Sequence, residues 1–347
     1  MQEKGRNHNS LDLWRGIWVV AELDKAGDPA HVTLELLSKA REMAEKIEVQ
    51  VTSVLMGYNV SGLAQRLIAY GADRVLVVDH PELASFTDEV YGKVLSELAL
   101  KERPEIILAG ATDQSRSFIP MVATRLETGL TANCMELDIR PEDRLLLPTR
   151  PAYGGNLMAT ITCPDHRPQM ATVKPHVIKI GEPDFQRDGE IVAVTPSKEA
   201  LEHRVKVVES KPLEMEGPDL RQAEVIVAAG RGIQKKENLA LVKELAELLG
   251  GAVGATRPVT DEGWLPEYTQ IGQTGVTVSP KLYIGCGISG AAPHTVGIQG
   301  SEIIVAINKD PDAPIFDMAT YGLVGDLNEI LPLLIKRIKE VKNLEKT

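Results

Sequence analysis

From Gly16 onward, short apolar runs alternate with stretches of helical periodicity, and this alternation limits the possible folds more than any other feature of the chain. The runs GIWVVAEL, VQVTSVLMG, RVLVVD and EIILAG are separated by helical patterns from Leu34 to Lys46, from Ser61 onward and from Thr87 to Leu100. Strand and helix in strict turn read as a parallel sheet, each helix carrying the chain back to start the next strand. After Thr131 the rhythm changes to LTANCMELDI, RLLLPTR, NLMATITC and QMATVKP, strand-like runs without long helices. These either extend the sheet or add an antiparallel flap.

At 347 residues the chain exceeds one compact domain, and its 43% hydrophobic content fills cores in two. The segment from Gly181 to Pro218 carries Pro183, Pro196, Pro212 and Pro218 among many charges, a composition expected of a connector. A boundary near residue 212 divides the chain into an N-terminal domain of residues 1–211 and a C-terminal domain of residues 212–347. The second domain reads as strand EVIVAAG, a helix from Lys235 to Leu249, strands GAVGA, KLYIGCG, EIIVAINKD and YGLVGD, and a closing helix from Leu327. On the Lys235 helix, Leu241, Leu245 and Leu248 form one expected buried stripe. The expected fold class is α/β, a parallel α/β sheet with added strands followed by a Rossmann-like domain.

Charge and cysteine usage narrow the function. With 49 acidic against 38 basic residues the net charge is -11, which disfavours nucleic acid or an anionic membrane surface as the main partner. Cys134, Cys163 and Cys286 are far apart and form no CxxC pair, so neither a disulfide framework nor a structural zinc site is indicated. His8, His31, His80, His166, His176 and His203 show no metal-ligand spacing and read as surface or solitary core residues. No stretch approaches the roughly 18 apolar residues of a membrane span, and the opening MQEKGRNHNS lacks the apolar core of a signal peptide. A soluble, cytoplasmic protein is expected.

The chemistry concentrates in the second domain, at strand ends, where open parallel sheets bind ligands. Five loops stand out: GRGI (Gly230 to Ile233), GATRP (Gly254 to Pro258), QIGQTG (Gln270 to Gly275), GISGAAPH (Gly287 to His294) and INKDPDAP (Ile307 to Pro314), with YGLVGD closing the set at Asp326. Glycines between a strand and a helix let backbone N–H groups approach a phosphate. One such loop is weak evidence, but five between residues 230 and 326 are hard to explain by packing alone.

In that order these loops resemble the FAD-binding signature of electron-transfer flavoprotein alpha subunits. LTANCMELDI, RPAYGGNLMATI and RPQMATVKP resemble the same family more loosely, and look more like the alpha subunits that bifurcate electrons from NADH in anaerobes than like mitochondrial ones. The resemblance implies an FAD cofactor with Arg231 and Ser289 at the pyrophosphate, flanked by Gly287 and Gly290, and Asn308 and Asp326 at the adenosine end. It places Arg257, preceded by Thr256, against the isoalloxazine ring. Gln270, Gly272, Gln273 and Thr274 form the loop at the flavin edge, the Thr274 hydroxyl at N5, and His294 faces the C2 carbonyl and N1 as a cation or donor. Each residue also has a plain structural alternative: Arg257 as a surface ion-pair residue, His294 as a helix cap, Thr274 as a turn residue. Cys286 reads as a small buried filler.

Two departures stand out. Thr256 replaces a serine common in the family, keeping the hydroxyl, and Pro293 stands where glutamine is common and cannot donate a backbone N–H. The residue types suit one-electron chemistry, because reduction puts negative charge on the N1 side of the ring. A unit charge at ~4 Å in an effective dielectric near 20 contributes ~4 kcal/mol, or roughly 170 mV for one electron. The resemblance implies an electron-transfer subunit, heterodimeric with a beta subunit, that passes single electrons through a stabilised flavin semiquinone. As implied by that branch, it works in an NADH-dependent flavin oxidoreductase complex with an acyl-CoA dehydrogenase-type partner, the connector letting the FAD domain swing. The alternatives are a simple respiratory carrier between acyl-CoA dehydrogenases and a quinone reductase, or an NAD(P)-dependent enzyme. Against the last, no paired carboxylates, Ser-His-Asp order or HExxH motif appears, so no catalytic residue is assigned.

Overall fold

The computed structural model describes residues 11–344 apart from 12, 25, 153–156, 210–216, 218 and 222. The boundary at 212, Pro212 and Pro218, the residues 153–156 of RPAYGGNLMATI, the opening decapeptide with His8 and the last three residues of the charged tail therefore lie outside the described residues. The chain divides into two units, Met1–Ser210 and Lys211–Thr347.

In the first unit β1 (Ile17–Ala21), β2 (Val51–Gly57), β3 (Arg74–Asp79) and β4 (Ile106–Gly110) alternate with α1 (His31–Ile47), α2 (Ala64–Ala69), α3 (Asp88–Glu102) and α4 (Asp113–Arg125). Every residue of β1 and β2 is buried. Ile17, Val19, Val51 and Leu55 meet Leu36, Ala40 and Met43 of α1 on one face, while Trp18, Val20 and Val54 meet Val94, Leu95 and Phe118 on the other. Burial on both faces is why these strands read as continuous apolar runs instead of alternating ones.

The later runs take both expected routes. β5 (Leu130–Cys134) and β9 (Gln169–Val173) join the parallel sheet, whereas β6 (Glu136–Arg140), β7 (Leu145–Ala152) and β8 (Leu157–Thr160) pair antiparallel in a separate three-stranded sheet. One expectation needs correction. Within the segment read as connector, β10 (Glu190–Ala193) pairs parallel with β3 at the edge of the large sheet, whose order is β10-β3-β2-β1-β4-β9-β5, and α5 (Lys198–Leu201) follows it. Three of the four residues of β10 are exposed, which hides the strand in composition, since an edge strand is secured mainly by its ladder.

The second unit has five parallel strands, β11 (Val225–Ala229), β12 (Ala252–Ala255), β13 (Leu282–Cys286), β14 (Ile303–Asn308) and β15 (Tyr321–Val324), in the order β12-β11-β13-β14-β15. Its helices are α6 (Leu239–Leu249), the short α7 (Arg257–Asp261) and α8 (Ala292–Thr295), and α9 (Leu327–Leu344). The buried stripe of α6 is Leu239, Val242, Leu245 and Ala246, with Leu241 and Leu248 only partly covered. From β11 the chain moves outward to β12 and then returns past β11 to β13. The loops after β11 and β13 thus leave the sheet in opposite directions and open a crevice at its carboxyl edge.

Candidate functional site

Because all five strands of the second unit are parallel, every loop singled out in the sequence starts from the same edge of one sheet except QIGQTG, which follows a 3-10 turn at Glu267–Thr269 and meets that edge through a bridge from Gln270 to Ala255. At the switch between β11 and β13 the two glycine turns pack directly on each other. Gly232 N–H donates to the Gly287 carbonyl at 2.9 Å, and a Cβ on Gly230 or Gly232 would stand 2.3 or 2.6 Å from that same oxygen. Gly287 itself has φ +65. Only glycine fits such a contact, and its effect is to bring backbone to the mouth of the crevice without side chains in the way. Arg231 and Ser289, beside these glycines, are both exposed.

GRGI does not open α6 directly. It forms a 3-10 turn over Arg231–Ile233, Gln234 turns to φ 68, and α6 starts only at Leu239. The helix N-terminus expected behind this loop is displaced, and the N–H groups of Gly230, Gly232, Ile233 and Gln234 already donate to carbonyls, so an anion there would rely on Arg231. Gly290, at φ +86, brings the next loop against the chain after β14, where Ile315 N–H donates to the Ser289 carbonyl at 3.0 Å. Asn308 serves the same junction: its Nδ2 donates to the Ile288 carbonyl at 2.8 Å while its Oδ1 accepts from Asp310 N–H. Asp326 accepts from the Asn328 N–H at 2.8 Å, which caps α9.

QIGQTG is clamped from below. Gln273 N–H donates to the Pro293 carbonyl at 2.6 Å, and Gly272, at φ +141, has no room for a Cβ, which would lie 2.5 Å from that carbonyl. Pro293 occupies the first turn of α8, where a backbone N–H would have no helical partner, so the proline costs the loop nothing and supplies its acceptor. The buried Gln270 side chain spans the loop: Thr260 Oγ1 lies 3.0 Å from Gln270 Oε1, and Gln270 Nε2 donates to Thr274 Oγ1 at 2.9 Å. With that amide orientation Thr274 already accepts, which leaves the proton of its exposed hydroxyl free to donate elsewhere. Gln270 is thus a support for this loop, whereas Gln273 and Thr274 are exposed on it.

The charge expected of His294 needs correction. The residue is buried, its Nδ1 lies 2.9 Å from the Ile271 carbonyl and its Nε2 lies 2.8 Å from the Tyr283 hydroxyl. A carbonyl only accepts, so Nδ1 carries the proton, and burial disfavours a second proton on Nε2, which then accepts from the Tyr283 hydroxyl in a neutral imidazole. Burial pushes its pKa below the ordinary value, partly opposed by the bond to Ile271. Nor does His294 cap α8. It holds Ile271, and through it the adjoining Gly272 turn. Tyr283, which sequence reasoning did not single out, became visible only through this bond.

Arg257 is 67% exposed and pairs with Asp261 one turn on, Nε to Oδ2 at 3.3 Å. Thr256, buried beside it, donates its N–H to the Ala229 carbonyl and so ties β12 to β11. Cys286 is a buried filler of the sheet core, its thiol pushed up to about 12 by burial. The glycine crevice and the exposed Arg231, Arg257, Thr274 and Ser289 fit a ligand with an anionic bridge and a hydrogen-bonding ring. FAD has both.

Comparison with known proteins agrees. The family model "Electron transfer flavoprotein domain" matches residues 17–199 and "Electron transfer flavoprotein FAD-binding domain" matches residues 219–299. The chain is 49% identical to an electron transfer flavoprotein subunit alpha of Thermoanaerobacterium thermosaccharolyticum, over 96% of this chain and 100% of that one. It is 44% identical to the acryloyl-CoA reductase electron transfer subunit beta of Anaerotignum propionicum, over 96% and 99%. It is also 44% identical to the lactate dehydrogenase (NAD(+),ferredoxin) subunit LctC of Acetobacterium woodii, over 96% of this chain and 79% of that one.

Proposed function

Because the chain belongs to the electron transfer flavoprotein family as an alpha subunit and has that family's FAD-binding domain, we propose that it is the FAD-bearing half of a heterodimer that passes single electrons. Its other half is a beta subunit. The heterodimer works inside an NADH-dependent bifurcating complex with an acyl-CoA dehydrogenase-type partner. Support for this finer reading comes from relatives named for acryloyl-CoA reductase and for an NAD(+)- and ferredoxin-linked dehydrogenase.

FAD, when bound, supplies a ring that takes electrons singly or in pairs. The chain's residues bind and bias it. Gly230, Gly232, Gly287 and Gly290 keep side chains out of the crevice, so that Arg231 and Ser289 would hold the pyrophosphate, and Asn308 and Asp326 the adenosine end. Arg257 would set a positive charge beside the ring, and Thr274, its proton left free because its oxygen accepts from Gln270, would present a donor at N5. His294, being neutral, would contribute position and not charge.

The observation that carries the reading is the glycine-on-glycine packing of the β11 and β13 turns at the switch point, with exposed polar residues along the same edge. Co-expression with the beta subunit, followed by a visible spectrum and a nucleotide count, tests it. Two FAD per heterodimer and reduction by NADH are expected. One FAD with one AMP and no response to NADH would place the chain among the simple respiratory carriers. A colourless protein that binds pyridine nucleotide would instead mark an NAD(P)-dependent enzyme.

A further inference from the structure

The histidines that show no ligand spacing in the sequence are not all solitary in the fold. His31 begins α1, Glu35 lies one turn along the same helix, and the chain after β9 brings His176 to both. Among the described residues these three form a group whose candidate ligand atoms, one from each, all lie within 4.8 Å of one another. His31 Nδ1 is 3.5 Å from Glu35 Oε2, and the two imidazole rings tilt together with centroids 4.6 Å apart.

Glu35 makes the group unusual. Its side chain is only 2% exposed, against 52% for His31, so a carboxylate is sunk beneath two imidazoles. Oε2 accepts the His176 backbone N–H at 3.1 Å, but Oε1 is buried with no hydrogen-bond partner in the protein. Leaving a buried carboxylate oxygen unpaired is costly. Protonating both imidazoles would supply positive charge only by setting two like charges side by side. A single divalent cation between the three side chains resolves both problems at once.

We propose that His31, Glu35 and His176 form a binding site for one divalent transition-metal ion of the zinc class. Two imidazole nitrogens with one carboxylate oxygen suit such an ion, whereas magnesium and calcium prefer oxygen throughout. Three protein ligands leave a coordination position for water, and the exposure of His31 gives the ion a way in. The nearby N-terminus of α1 disfavours a cation, and the carboxylate has to outweigh that opposition. The site lies in the first unit and is independent of the flavin-site reading.

The test uses the heterodimer stripped with a chelator and titrated with Zn2+ alone, by calorimetry and by thermal unfolding. One Zn2+ per alpha chain is expected, with a raised unfolding midpoint. His31→Ala should weaken binding by about tenfold or more, a loss no smaller than removing even an outer partner of a metal ligand causes. His176→Gly should do the same without harming the fold, because His176 sits at φ 65, where glycine is the easier residue. A far-UV circular dichroism spectrum and a metal-free unfolding midpoint like the parent's show that each variant remains folded. If the intact protein takes up no Zn2+, or if both variants bind it as tightly as the parent, the proposal is overturned.

Discussion

At the scale of single residues, charge and hydrogen-bond direction decide what the flavin edge can do. Arg257→Ala should lower the first one-electron potential while FAD stays bound, since the glycine turns hold the cofactor separately. The full charge effect of roughly 170 mV is reduced by solvent and by Asp261, so a shift on the order of tens of millivolts is expected by potentiometry. Loss of FAD at unchanged potential would make Arg257 a binding residue. Gln270→Glu replaces the amide donor by an acceptor and should turn the Thr274 proton inward, away from N5. Its first potential should fall below that of Gln270→Leu, and equal potentials in the two variants would remove Gln270 from that role. His294 sets a pH dependence. Its folded pKa lies below its unfolded one, so the unfolded chain takes the proton first on acidification. The stability that neutral His294 contributes is complete above about pH 6.5 and is lost as pH falls from there toward the depressed folded value. His294→Gln should flatten the decline in urea midpoint over that interval, and an unchanged slope would count against a neutral buried imidazole. The residue types at these positions were legible in the sequence. The protonation state of His294 was not, because it depends on Tyr283 and Ile271, which reach it only in the fold.

At the scale of elements, the site is a property of where loops leave a parallel sheet. Gly290→Ala would force a Cβ to 2.2 Å from the Ile315 N at a φ of +86, combining a clash with backbone strain. A loss of about 1–3 kcal/mol in the stability of the second unit is expected, with FAD content falling in parallel. If thermal unfolding and FAD content both match the parent, the close approach of these loops is not needed for the site. The strands of this unit were legible because each is a run of small and β-branched residues ending in glycine or a polar cluster, as in EVIVAAG and KLYIGCG. The 3-10 turn after β11 was not, because Gln234 in a left-handed region carries no mark in its residue type. β10 escaped for a related reason: a four-residue edge strand is defined by its pairing with Arg74 to Val77, far away in sequence.

For the whole molecule, no helix among the described residues is long and apolar enough to cross a membrane. If the FAD domain moves during electron transfer, as the resemblance in sequence implies, cross-linking the two units through engineered cysteines should abolish NADH-driven turnover while leaving bound FAD intact. Full turnover in the cross-linked protein would exclude a role for that motion. The sequence by itself determined the α/β class, the parallel order implied by alternating elements and the family to which the loops belong, because periodicity and loop chemistry are local and written in adjacent residues. Only the tertiary structure decided which residues meet. It set Gly230 and Gly232 against Gly287, made Gln270 the support of Thr274, fixed His294 as neutral and drew His31, Glu35 and His176 together. The physical reason is that hydrogen-bond direction and ligand grouping depend on distances of a few ångströms between residues remote in the chain, which only the packed sheets and helices bring about.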